Sequence, residues 1–184
     1  MLTIIWILIA VVALIILMLI GYYNKFVILG QRANNSLAQI DVQLKKRADL
    51  VPNLIETVKG YAKHEKGIMD SVSQARAAMI SAKDIVSKMK AGNVLNNALG
   101  KLFAIAENYP QLKANENFLQ LQQELASIED KIAYARQYYN DSIMSYNTAC
   151  KTFPGSFFAG IFGKKEMEYL QIPEAQKAVP KVSF

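Results

Sequence analysis

The sequence predicts an all-α protein: an N-terminal transmembrane helix continuing into an elongated antiparallel four-helix bundle. Three observations predict it. The first 23 residues hold a long uncharged apolar run, apolar residues then recur every three and four positions from residue 26 to residue 153, and turn formers are sparse, with 9 Gly and 5 Pro in 184 residues. The single cysteine, Cys150, rules out an intrachain disulfide and a multi-cysteine zinc site within one chain. The single histidine, His64, rules out any site that needs two imidazoles from one chain. The net charge of +6 comes from basic residues dispersed along the chain, with no basic run interleaved with aromatics, so nucleic acid is not an expected partner.

Residues 1–23 form the anchor. LTIIWILIAVVALIILMLIGYY carries no charge, and Lys25 is the first charged side chain. That run matches the 20 or so residues a helix needs to cross about 30 Å of hydrocarbon. Nothing basic precedes it and no small-residue cleavage pattern follows it, which argues against a cleaved signal peptide. Trp6 near one end and Tyr22 and Tyr23 at the other suit the two membrane interfaces. Lys25, Arg32, Lys45, Lys46 and Arg47 all follow the span, so the positive-inside rule places the N-terminus outside and the remaining domain in the cytoplasm.

Residues 24–155 read as the bundle. Phe26, Gly30, Ala33, Leu37, Ile40 and Leu44 form a heptad seam that predicts a first helix over about 24–47. Pro52 disfavours helix at the residue before it, so a corner is expected at 48–51, with Asp49 available as a cap. Val51, Leu54, Ile55, Val58, Tyr61, Ala62, Met69, Val72 and Met79 mark a second helix, about 52–86. Gly92 and Asn93 mark a turn, and a third helix over about 94–108 must stop before Pro110. Asn115 caps the fourth, about 115–153, whose stripe runs from Phe118 to Phe153 and whose length is about 60 Å. Residues 156–184 form an apolar stub, SFFAGIFGKK, and a tail. Its aromatics, Phe157, Phe158 and Phe162, with Lys164 and Lys165 behind them, suggest contact with the bilayer and its headgroups.

The polar residues favour structure over chemistry. A second row on the fourth helix holds Glu129, Arg136, Asn140 and Asn147, spaced by seven, four and seven. The first helix and its corner offer Asp41, Arg47, Asp49 and Asn53. Buried polar groups must pair, so these eight are expected to form a clamp that fixes helix register. No catalytic, cofactor-binding or metal residue is expected. A di-metal bundle needs Glu-x-x-His, whereas Tyr61 stands three residues before His64, and the scattered glycines form no phosphate loop. The rival reading is a carboxylate-rich metal-binding or enzymatic bundle using Glu65, Glu107, Glu116 or Glu129.

Longer runs carry a resemblance. QIDVQLKKRADLVPNLIETVKGYAKHEK and AIAENYPQLKANENFLQLQQELASIEDKIAYARQYYNDSIMSYNTACKTFP resemble the LemA family over nearly the whole chain. The resemblance implies a bacterial cell-membrane protein with one N-terminal span, a cytoplasmic helical domain, no transferable enzymatic activity and no cofactor. It also implies association with membrane compartments in one branch, that of the magnetosome, and with TPM-domain proteins as partners. The expected function is thus a membrane-anchored scaffold, its partners the lipid bilayer, further copies of itself and a TPM-type membrane protein. No small-molecule substrate is expected. Gly30 and Ala33 offer close approach between copies.

Overall fold

The computed structural model describes residues 1–170, and every regular element among them is helical. In order these are α1 (Leu2–Tyr61), α2 (Lys66–Ser81), α3 (Ile85–Ala106), α4 (Pro110–Lys113), α5 (Glu116–Lys151) and α6 (Gly155–Ile161). The tail beyond residue 170 lies outside the described residues. The chain divides into two compact units, residues 37–135 and residues 1–36 with 136 onward.

In the unit of residues 37–135, Ile40, Leu44, Val51, Leu54 and Val58 of α1 bury their side chains with Val72 and Met79 of α2, Leu95, Leu99 and Leu102 of α3, and Phe118, Leu125 and Ile132 of α5. These are the stripes that the three-and-four spacing marks, since residues at that spacing share one helix face. The expected corner at 48–51 is absent: α1 runs through Pro52 and ends at Tyr61. A proline in a helix interior cannot donate to the carbonyl four residues back, which leaves Ala48 O without its usual partner. Arg76 of α2 supplies one, its Nε donating to Ala48 O at 2.7 Å. The chain turns instead at 62–65, where the Glu65 side chain makes no capping hydrogen bond and the Glu65 N–H donates to Ala62 O at 3.1 Å.

Gly92 and Asn93 do not form the expected turn; both lie inside α3. That helix starts at Ile85, where the Asp84 carboxylate accepts the Ser87 N–H at 2.8 Å. Gly92 is required for a different reason. A Cβ there would lie 2.9 Å from Leu44 Cδ2, so its absence lets Leu44 reach the α3 backbone. The expected cap at Asn115 is present, Oδ1 accepting Phe118 N–H at 3.0 Å.

In the other unit, residues 2–17 of α1 are exposed along their whole length, and burial begins at Met18 and Leu19. This is the one helix among the described residues long and apolar enough to cross a membrane. Beyond it, Phe26 and Leu29 of α1, Tyr146 and Ala149 of α5, and Phe158 and Ala159 of α6 share a core, with Tyr22, Cys150 and Phe162 against it. After α6 the segment 164–170 is extended and carries no regular structure.

Candidate functional site

In the unit 37–135 the buried charged side chain is Arg47. The guanidinium is 3% exposed, and its Nη2 pairs with the carboxylate of Glu129, which is 38% exposed. Its Nη1 donates to Gly92 O at 3.4 Å. Burial pulls Arg47 down to about 10, still well above neutrality, so the side chain is a cation at physiological pH. An uncompensated buried cation is costly, and Glu129 is what offsets that cost here. The Gln43 Oε1 is buried beside them on α1 with no partner among the described residues. Asp41 accepts from Lys88 Nζ at 2.6 Å, which ties α1 to α3. Asp49 instead faces solvent and pairs with Lys45 on its own helix at 3.5 Å. Asn53 is exposed, and only its backbone carbonyl is engaged, by Thr57 Oγ1 at 2.8 Å. Of the first-helix group, the structure thus draws in Asp41 and Arg47. Arg76, absent from the sequence reading, joins them through Ala48 O.

Asn140 and Asn147 work elsewhere, in the second unit. Asn147 donates from Nδ2 to Met167 O and accepts the Met167 N–H at Oδ1, both at 2.9 Å. Asn140 does the same for Leu170, at 3.1 and 2.9 Å. Between them the Tyr139 hydroxyl donates to Glu168 O at 3.0 Å. Two amides seven residues apart on α5, about 10.5 Å at 1.5 Å per residue, therefore clasp strap residues three apart, Met167 and Leu170, each treating its target as a β-strand neighbour would. Burial lowers the pKa of half-buried Arg136, which forms no ion pair among the described residues.

The residues expected at the membrane divide into two groups. Trp6 and Tyr23 are exposed on α1, as are Phe157 and Lys165 in the α6 region, while Lys164 is half-buried. Phe158 is not a lipid-facing residue: it is buried and stacks on Tyr22 with ring centroids 4.8 Å apart. Phe162 is half-buried and packs edge-on against Tyr23 at 5.4 Å and Phe26 at 6.5 Å. Phe153, expected on the core stripe of α5, is 88% exposed instead. Ala33 is fully buried in the chain, so that seam position is not open to another copy.

The carboxylates of the rival reading do not converge. Glu65 accepts from Tyr109 at 3.2 Å, Glu107 pairs with Lys113 at 3.1 Å, and Glu129 with Arg47. Among the described residues no three His, Cys, Asp or Glu side chains are grouped to hold a metal. His64 is exposed in the turn after α1. Burial pushes the Cys150 thiol above its ordinary value, which disfavours the reactive thiolate.

The model of the LemA family matches residues 36–184. The chain is similar to the magnetosome protein MamQ of Magnetospirillum gryphiswaldense, 28% identical over 173 residues that cover 80% of this chain and 64% of that protein. It is similar to MamQ 2 of Paramagnetospirillum magneticum, 27% identical over 188 residues, covering 88% and 69%. It is also similar to protein LemA of Metamycoplasma hominis, 24% identical over 135 residues, covering 73% and 62%. The chain thus spans 62–69% of the length of these curated relatives.

Proposed function

From the premise that the chain belongs to the LemA family, we propose that it is a membrane-anchored scaffold that assembles with copies of itself and organises membrane or membrane-protein complexes without catalysis. The carrying observation is the division of α1 into two kinds of surface. Residues 2–17 are apolar and exposed, a surface suited to lipid or to other spans, and the helix then enters a packed core at Phe26. The polar groups support a structural role, because each well-defined cluster ends on a backbone carbonyl or an ion pair. The basic residues Lys25, Arg32, Lys45 and Lys46 after the span support a cytoplasmic bundle on a bacterial cell membrane, with the N-terminus outside. The relatives named as magnetosome proteins support work at a membrane compartment. A membrane-protein partner of the TPM type belongs to the same proposal.

The test is native mass measurement of the full chain in lipid nanodiscs. A defined higher-order particle is expected. A strict monomer at high protein concentration would remove self-assembly and leave only a role with other partners. Labelling of an added surface cysteine from each side of sealed vesicles tests the orientation.

A further inference from the structure

The α6 helix carries two apolar faces, and only one has a partner among the described residues. Its inner face, Gly155, Phe158, Ala159 and Phe162, packs onto α1 and α5. Gly155 sits so close that a Cβ would run into the Ala149 carbonyl and lie 3.2 Å from Tyr22 Cε1. The outer face presents Phe157 and Ile161, 64% and 54% exposed, and Phe153, in the turn just before the helix, is 88% exposed. Residues spaced by four fall on one side of a helix, which places Phe157 and Ile161 together. Large apolar groups grouped this way in water are unfavourable unless something covers them.

The position of α6 along α1 says what covers them. Its aromatics dock on Tyr22, Tyr23 and Phe26. Leu2 to Gly21 is about 30 Å of helix at 1.5 Å per residue, the thickness of the hydrocarbon core. Tyr22 and Tyr23 thus fall at the interface, and Lys25 Nζ, the first cation, lies 5.8 Å from the Tyr22 ring. A short helix fixed at that level holds its outer face at headgroup depth. Lys164 and Lys165 follow the helix directly, where anionic headgroups would meet them.

We infer that Phe153, Phe157 and Ile161 insert into the interface of the same bilayer that α1 crosses, giving the protein a second membrane contact beside its span. The contact covers more membrane area than a lone span and sets the azimuth of the protein about the span axis. Phe158 and Phe162 are the residues that hold the wedge to α1; they do not enter lipid. The inference rests on the span but not on the scaffold role.

The chain has one tryptophan, Trp6, which makes a direct measurement available. The full chain is reconstituted into phosphatidylcholine nanodiscs in which some lipids carry bromine high on the acyl chains. Three proteins are compared: the natural chain, Trp6→Phe/Phe157→Trp, and Trp6→Phe/Tyr138→Trp. Tyr138 is an exposed aromatic on α5 in the same unit, about 12 Å nearer the N-terminus of that helix than Tyr146, which packs on Phe26. Quenching at 6 and at 157, with none at 138, is the expected result. Quenching at 6 without quenching at 157 overturns the wedge and leaves the span standing. If that result comes with blue-shifted emission at 157 that depends on protein loading, a second copy covers the face instead of lipid. No quenching at 6 removes the span and the wedge together. Equal quenching at 157 and 138 overturns the wedge in favour of a domain lying flat on the surface. As a second variant, Phe157→Ser/Ile161→Ser changes exposed positions only; it should keep the helical signal while trypsin cleavage at Lys164 and Lys165 on nanodiscs becomes faster.

Discussion

Arg76 and Pro52 should behave as one unit in stability although they lie on different helices. Pro52 leaves the Ala48 carbonyl open inside α1, and Arg76 Nε fills it at 2.7 Å. Ala48 is buried, so water cannot replace the lost donor. In Arg76→Met the carbonyl is stranded, which costs about 2 kcal/mol given that hydrogen bonds to charged groups contribute about 1.5–3 and Arg76 is only half-buried. For a protein of this size that is a fall in Tm of about 4–8 °C. Pro52→Ala restores a backbone N–H that can reach Ala48 O, and it removes the ring clash that makes interior proline costly. Arg76→Met placed on Pro52→Ala should therefore cost about 0.5 kcal/mol, a coupling of more than 1 kcal/mol between the two sites. Far-UV circular dichroism melts of the four full-length proteins in one detergent give the cycle, and amide exchange at position 52 reports whether the new N–H is bonded. Equal losses for Arg76→Met in both backgrounds would refute the reasoning, because the arginine would then not be answering the proline.

Other consequences follow from single contacts. Glu129→Ala strands a buried cation and should cost about 3 kcal/mol, the low end for a broken buried pair because Glu129 is part-exposed, whereas Arg47→Met/Glu129→Ala should recover most of that loss in the same melts. Asn147→Ala removes two hydrogen bonds and should cost about 2 kcal/mol, with faster exchange at the Met167 amide and little change at amides of α2. Gly155→Ala pushes a methyl into the Ala149 carbonyl, so α6 should leave Tyr22, and the near-ultraviolet aromatic signal should fall without loss of helix content. Cys150, its thiol pushed up chiefly by burial, should hold less thiolate at pH 8 than an ordinary thiol, so iodoacetamide should label it more slowly in the folded protein than in denaturant.

The helical class and most of the core were legible because burial repeats with the helix period. The α5 stripe from Phe118 to Tyr146 is buried almost throughout, with Leu121 half-buried. The misreadings share one cause. A rule about Pro52 is local, but the residue that lets the helix pass it stands 28 positions away, on a helix whose approach no spacing reveals. Gly92 looked like punctuation because glycine usually is; here it makes room for Leu44. The true start of α3 did carry a signal, Asp84 before an apolar run, which the expectation of a second helix as far as 86 ran past. The row of Asn140 and Asn147 was visible by its spacing, yet its partner was not, since an extended strap at 167–170 has no period to read.

Those polar contacts also explain how a fold made of helices reaches one register. Apolar stripes are nearly degenerate: sliding one helix past another by a turn, about 5.4 Å, exchanges one row of leucines and valines for the next at small cost. Directional bonds remove that freedom. Arg47 reaches Gly92 O, Arg76 reaches Ala48 O, and Lys88 reaches Asp41, so each of α2 and α3 is pinned to α1 at a fixed level. In the other unit the asparagine pair fixes the strap on α5 in the same way. Each pin except the Lys88–Asp41 ion pair ends on a backbone atom, and backbone atoms are present at every residue, so the specificity lies in where the long polar side chain stands. Replacing these residues by apolar ones should therefore loosen register before it unfolds the protein, which separates a register device from a catalytic group: the first shows as slipped packing, the second as lost chemistry with packing intact.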